Sequence, residues 1–115
     1  MIATTFWILV GMEVDEDAGA TNYIDHSGLT NVSDGQWHHV VSVRKGDTLI
    51  LYVDGKNDGS KSGAGTANIS NSAEFRIGLS SICNSTNNGN SIDEYRVYNR
   101  ALTPAEIQRL YNMGK

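Results

Sequence analysis

The stretch that decides the fold runs from Asp34 to Gly55 and reads DGQWHHVVSVRKGDTLILYVDG. Two segments rich in β-branched and aromatic residues flank a Gly46-Asp47 turn, which is the pattern of a β-hairpin. Hydrophobic residues recur at every second position, so each arm is a pleated strand that turns one face inward. The residues predicted to share a face are Trp37, His39, Val41 and Val43 on the first arm, and Leu49, Leu51 and Val53 on the second.

Length and charge limit the class of protein. The 115 residues are predicted to form one domain, residues 1–115, and a chain of this length buries roughly 65% of its surface on folding. Nine Lys and Arg residues against thirteen Asp and Glu residues give a net charge of −4. Nucleic acids and anionic membranes bind proteins with a dense basic surface, so neither is expected as a partner.

The first twelve residues, MIATTFWILVGM, are mostly apolar. No Lys or Arg precedes the apolar run, and it is too short to cross a bilayer, so we expect a buried strand over Thr4–Met12 and see no signal peptide. The single cysteine, Cys83, cannot form an internal disulfide and is expected to be a small buried apolar residue.

The rest of the chain continues or interrupts the alternation. The acidic segment 13–20 is predicted to be the frayed end of the first strand followed by a loop, and the polar segment 56–72 an edge strand with loops. The remaining predicted elements are strands near Tyr23–His26, Glu74–Leu79 and Ile92–Tyr98, and a polar loop at Ile82–Ser91.

A helix is predicted at the C-terminal end. Thr103 and Glu106 have the spacing of a capping box, and Pro104 takes the first helical position, where its missing N–H does no harm. Leu102 and Ile107 flank this start as a hydrophobic staple. One short helix packed against a sheet is therefore expected.

Several short strings occur together in a recognisable order. They are DGQWHHV at 34–40, LYVDG at 51–55, FRIG at 75–78, IDEYRVYNRAL at 92–102 and AEI at 105–107. The series resembles the laminin-G-like branch of the concanavalin A-like lectin/glucanase fold over residues 34–112. The resemblance implies an antiparallel jelly-roll β-sandwich with one short C-terminal helix. It also implies a non-catalytic, extracellular module that binds glycans or proteins, often beside a calcium ion.

One departure from this family concerns the N-terminal side. Only 33 residues precede the DGQWH segment, and members of the family carry more strands there. Either this is a minimal version of the domain or the sandwich is incomplete in one chain, and an incomplete sandwich leaves an apolar face or a strand edge open to water. We therefore predict that two copies pack together as a homodimer.

Acidic residues are the candidates for metal binding or catalysis. Glu13, Asp15 and Asp17 alternate along the chain, and paired carboxylates on one strand are the arrangement that glycosidases use. The same oxygen atoms suit calcium, which takes six to eight oxygen ligands. The predicted calcium ligands are Asp15, Asp17 and Asp93.

Aromatic and amide side chains are the candidates for sugar binding. Trp37 is expected in the core, and His39 beside it as a hydrogen-bonded core histidine, while His38 points to the opposite face. Tyr23, Tyr52 and Tyr98 can each present an amphipathic ring. The predicted ligand-binding residues are Tyr23, Asn84, Asn87 and Asn88.

The leading functional hypothesis is a non-catalytic recognition module for carbohydrate. The second is a structural or self-assembling β-sandwich without a ligand site. The third and weakest is a glycoside hydrolase that uses Glu13 and Asp15.

Overall fold

The computed structural model describes residues 11–15, 23–63 and 91–114. Contacts between residues divide the chain into two units. The first comprises residues 1–69 and 100–115, and the second comprises residues 70–99. The elements of the first unit are β1 (Gly11–Asp15), β2 (Tyr23–Ser27), β3 (Val40–Lys45), β4 (Thr48–Val53), β5 (Lys56–Ser62) and α1 (Pro104–Met113).

The predicted central hairpin is confirmed. Strands β3 and β4 pair antiparallel, and the pair Lys45–Thr48 closes a two-residue loop. Gly46 begins this loop with φ +59°, a conformation that favours glycine. The first arm, strand β3, begins at Val40 and not at Trp37, because the chain bends at residues 34–36, just before Trp37.

A second hairpin extends the sheet to three strands in the order β3-β4-β5. Its loop is Asp54-Gly55, with φ +51° and +77°, the two positive angles that a type I′ turn requires. Strand β5 lies at the edge of this sheet, as the polar composition of segment 56–72 predicted.

Strands β1 and β2 form a separate antiparallel pair. Strand β2 lies where the sequence predicts it, and residues 13–15, at the start of the segment predicted as a strand end and loop, belong to a strand. These residues continue β1, and Glu13 and Asp15 pair with Asp25 and Tyr23. The acidic composition did not prevent strand formation, because each residue has a ladder partner across the pair.

Strand β4 is buried on both faces and forms the centre of the first unit. Leu49 and Leu51 on one face have no exposed surface. On the other face Tyr52 packs with Leu102 and Ile107 from the helical end of the chain. The hydrophobic core therefore joins the sheet to α1.

Helix α1 begins as predicted. The Thr103 hydroxyl accepts a hydrogen bond from the Glu106 N–H, and the Glu106 carboxylate accepts one from the Thr103 N–H. Leu102 and Ile107, the predicted staple, are both buried. The N–H groups at the start of the helix are thus bonded by residues that are close in sequence, whereas its apolar side packs against Val43 and Tyr52 of the sheet.

In the second unit the structure describes only residues 91–99. The predicted strand Ile92–Tyr98 was wrong, since these residues form no strand. Glu94 takes φ +53°, and Oδ1 of Asp93 accepts its N–H at 2.7 Å, so the chain bends where an extended strand was expected. Most of the predicted strand Thr4–Met12, the predicted strand Glu74–Leu79, Cys83 and most of Ile82–Ser91 lie outside the described residues.

Candidate functional site

The candidate site is the loop Asp34–His38, which precedes β3. Oδ1 of Asp34 accepts the N–H of Gln36 at 2.9 Å, and Gly35 takes φ +78°. An aspartate that closes such a local turn competes with strand pairing. The loop therefore lies outside the three-stranded sheet, although its sequence continues the alternating pattern of β3.

Trp37 is exposed on this loop. Its exposed fraction is 71%, so the prediction that it belongs to the core was wrong. The turn at Asp34 takes the chain out of the register that would place residue 37 on the inward face with Val43. Exposure of so large an aromatic side chain is unfavourable in a free protein and is typical of binding surfaces.

His38 fixes the loop to the sheet. Its Nε2 lies 2.9 Å from Oδ1 of Asp34, and its Nδ1 lies 2.8 Å from Oδ2 of Asp54 in the β4–β5 turn. Only 14% of its side chain is exposed. One imidazole ring thus bridges the start of the Trp37 loop and a turn of the neighbouring hairpin.

The geometry favours the protonated form of this ring. An ionised carboxylate only accepts hydrogen bonds, so two carboxylates facing the two ring nitrogens require an N–H on both. Hydrogen bonds with Asp54 and then Asp34 raise the pKa of His38 above its usual 6.5. The hydrogen bond between His38 and Asp34 lowers the pKa of Asp34 below its usual 3.8, and the hydrogen bond from the Gln36 N–H adds a smaller effect in the same direction.

Asp54 provides the rigid side of this bridge. Its Oδ1 accepts the N–H of His39 at 3.0 Å, and its own N–H donates to the His39 carbonyl at 2.8 Å. The His39 ring lies 6.1 Å from the ring of Tyr111 in α1. The rings of His38 and His39 therefore have different partners, as their alternating positions predict.

The residues that the sequence singled out lie in different places. Tyr23 and Asp15 are direct partners in the β1–β2 pair, and Glu13 and Asp15 occupy alternate positions of β1. Tyr52 is buried and cannot serve as an exposed ring. Asp93 is exposed in the second unit and accepts the Glu94 N–H. The others, Asp17, Asn84, Asn87 and Asn88, lie outside the described residues.

Two observations limit other kinds of site. Within residues 11–15, 23–63 and 91–114, no three His, Cys, Asp or Glu side chains come together as metal ligands. A cavity of about 230 Å³ lies between the sheet and the segment before α1, lined by Val43, Ile50 and Tyr52 among others. It is smaller than the roughly 300–1,000 Å³ of most ligand pockets.

The Trp37 loop could have been found from the sequence by its turn residues. Asp34-Gly35 before the β3–β4 hairpin and Asp54-Gly55 after it are both turn signals, and each supplies one carboxylate to His38. The alternation through Trp37 and His39 instead favours a strand over these residues. The pairing of Asp34 with Asp54 through one ring depends on the folded hairpin and has no local signal.

The described residues define an antiparallel β protein with one C-terminal helix. A laminin-G family model, described as the concanavalin A-like lectin/glucanases superfamily, matches residues 6–108. The chain therefore belongs to this superfamily, which confirms the resemblance seen in the sequence.

One solved structure with a similar fold is that of an S-layer domain-containing protein from Clostridium thermocellum ATCC 27405. The two chains are 20% identical with a TM-score of 0.60, and the match covers 96% of this chain and 69% of the other. A comparison with curated proteins gave no match. In the described part of the chain, no helix has the length and apolar character needed to cross a membrane.

Proposed function

We propose that the protein is a non-catalytic recognition module that binds carbohydrate through Trp37. The observation that carries the proposal is an indole ring that is 71% exposed on a loop that His38 fastens to the sheet. We further infer that the complete domain is a jelly-roll sandwich, the fold of its superfamily.

The chemistry of the loop suits a neutral sugar. A pyranose ring has an apolar C–H face and a rim of hydroxyl groups, and a flat indole complements the apolar face while its N–H can donate to the rim. Binding by a ring that is already held in place avoids part of the entropy loss on association. The net charge of −4 also suits a neutral ligand better than an anionic one.

The test is a glycan array followed by titration calorimetry on any sugar that binds. Trp37→Ala is expected to lower affinity at least 10-fold, because it removes the stacking surface. Met113→Ala is the matched control, since Met113 is 70% exposed but has no aromatic face. Absence of binding to every sugar, with calcium or with a chelator, would contradict the proposal.

The residues predicted from the sequence enter the same experiment. Tyr23→Ala and Asn87→Ala test the site predicted from the sequence, whereas Trp37→Ala tests the loop. If the two sites differ, only one of these two sets of variants should lower sugar affinity. A calcium dependence that disappears in Asp15→Asn or Asp93→Asn would support these residues as calcium ligands.

A second candidate function is self-association as a structural module. Its support is that Leu29, Trp37 and Val40, all in the first unit, are 84%, 71% and 40% exposed. Apolar side chains of this size are typical of surfaces that become covered by another protein. The similar structure from an S-layer domain-containing protein agrees with such a role.

A further inference from the structure

We propose that His38 is a positioning residue for Trp37, and that ligand binding by the Trp37 loop weakens when His38 loses its proton. The inference rests on the proposed function and adds its regulation by pH. It depends on the two hydrogen bonds of one ring and on the different anchoring of their two acceptors.

Only the protonated ring can keep both bonds. Imidazolium donates from Nδ1 to Asp54 and from Nε2 to Asp34, whereas neutral imidazole has a single N–H. After deprotonation, one nitrogen lone pair would face a carboxylate oxygen at less than 3 Å. One of the two bonds must therefore break.

The bond to Asp34 is the one expected to break. Asp54 is held by two further hydrogen bonds to the backbone of His39, and 30% of its side chain is exposed. The Asp34 side chain is 47% exposed, and besides His38 it bonds the N–H of Gln36, which belongs to the same loop. The neutral ring thus stays on Asp54 and releases the loop that carries Trp37.

The surroundings of the ring give the direction of the effect. The charged groups that face it are Asp34 from its own loop and Asp54 from the β4–β5 turn. From α1, the neutral Gln108 lies against Gly55 of that turn. Both charged neighbours stabilise the imidazolium, which agrees with the raised pKa of His38. Release is therefore expected on the alkaline side of 6.5.

The first experiment needs no ligand. In a Trp7→Phe background Trp37 is the only indole, so acrylamide quenching and fluorescence anisotropy between about pH 5.5 and 9 report its mobility. Proton–nitrogen correlation spectra follow the His38 ring in the same samples. We expect Trp37 to become more mobile in one step that coincides with the His38 titration. Unchanged mobility while His38 loses its proton would overturn the proposal.

Two variants test the mechanism. His38→Gln removes the titrating ring and should show mobile Trp37 with no pH step, whereas in Asp34→Asn the amide can accept from the protonated ring or donate to the neutral one, so the pH step should disappear there as well. Asp47→Asn is the control, because Asp47 is an exposed carboxylate in the β3–β4 turn that bonds Thr48. Circular dichroism verifies the fold, and Asp34→Asn alone decides if His38→Gln does not fold. A pH step that persists in Asp34→Asn would contradict the assignment.

Sugar affinity completes the test. Ordering the released loop on binding is expected to weaken affinity roughly 2- to 10-fold above the titration of His38. If Trp37→Ala leaves sugar binding unchanged, the proposed function is wrong, while the ligand-free step still reports on His38. If sugar binding requires Trp37 but is constant with pH, the regulatory proposal is wrong.

Discussion

At the scale of single residues, the buried carboxylate of Asp58 explains how β5 is joined to the segment after β2. Asp58 is the additional residue of a β-bulge, because Asn57 and Gly59 pair with the adjacent Tyr52 and Leu51. The bulge turns its side chain inward, where only 9% of the residue is exposed. Its oxygens accept the N–H groups of Leu29 and Thr30 and the Thr30 hydroxyl, the last at 2.6 Å.

Asp58→Asn is expected to lower the free energy of unfolding by about 1–3 kcal/mol, because an amide group replaces an acceptor that faces N–H donors. Urea denaturation followed by circular dichroism measures the loss. Asp47→Asn, which changes an exposed carboxylate, should alter stability by less than about 0.5 kcal/mol. Equal losses in the two variants would show that Asp58 does not hold the β2 end of the sheet.

Two turn glycines differ in what surrounds them. A Cβ on Gly55 would lie 2.9 Å from Oε1 of Gln108, whereas a Cβ on Gly46 would meet nothing within 4 Å. The mobile end of Gln108 can move away, so the positive φ decides both cases. We expect Gly55→Ala and Gly46→Ala each to lose about 1 kcal/mol, measured by urea denaturation. A much larger loss for Gly55→Ala that Gln108→Ala relieves would show that the helix cannot adjust.

Residues that act through local chemistry were predictable, and those that act over distance were not. Gly46, Asp54 and Gly55 follow from turn propensity alone. The exposure of Trp37 does not follow in this way, because the alternating pattern predicts burial. The opposing signal, the turn that the Asp34 carboxylate closes with the Gln36 N–H, is weaker than this pattern when only the sequence is considered. Asp58 was missed because its partners lie 28 and 29 residues away.

At the scale of elements, helix α1 shows how a short helix is stabilised at its first turn. Besides the capping box, the two terminal guanidinium nitrogens of Arg100, Nη2 and Nη1, donate to the Glu106 carboxylate at 2.7 and 2.9 Å. Arg100 first, and then the N–H of Thr103, lowers the pKa of Glu106 from 4.5 to about 2. Glu106 therefore joins the preceding segment to the helix.

Thr103→Ala is expected to lower the free energy of unfolding by about 1 kcal/mol, since the N–H of Glu106 loses its acceptor. Thr103→Ser keeps the hydroxyl and should retain most of the stability. Thermal denaturation of the three proteins at neutral pH measures the difference. A Ser variant as unstable as the Ala variant would show that the methyl group matters more than the cap.

The Glu106 carboxylate also predicts a pH dependence. Because its pKa is lower in the folded state, its stabilising contribution is complete above 4.5 and is lost as the pH falls towards about 2. Glu106→Gln should lack this part of the acid dependence when unfolding is measured between these pH values. An identical acid profile for the wild type and Glu106→Gln would show that the Arg100 pair is screened by solvent.

The segment Ile92–Tyr98 shows the limit of alternation at this scale. Its pattern is that of a strand, but a strand also needs a partner and a continuous extended backbone. Glu94, with φ +53°, does not provide the extended backbone. In the three-stranded sheet the turns at Gly46-Asp47 and Asp54-Gly55 hold the partner strands together, so pattern and pairing agree there.

At the scale of the whole molecule, the all-β class with one helix was correctly predicted, because hairpins and capped helices are encoded by neighbouring residues. The superfamily followed from the order of several short strings. The loop that forms the candidate site was not predicted as a unit. Its geometry needs Asp34 and Asp54, which are far apart in sequence, to meet at one ring.

Two copies of the chain are expected to associate. Leu29, Trp37 and Val40 are large apolar side chains exposed in the first unit, and their burial against a second copy would remove apolar surface from water. Sedimentation equilibrium at micromolar concentration is expected to give twice the 12.5 kDa mass of one chain. Leu29→Ser and Trp37→Ser should weaken association, and Met113→Ser, at an exposed position near the end of α1, is the control.

The two proposed uses of Trp37 are thermodynamically linked. If the dimer covers the indole ring, sugar and the second copy compete for it, and each must weaken the other by the same factor. A saturating sugar would then shift the sedimentation profile towards the monomer. A dimer unaffected by sugar would place Trp37 outside the interface, and a monomer at all concentrations would exclude self-association and leave the ring to the ligand.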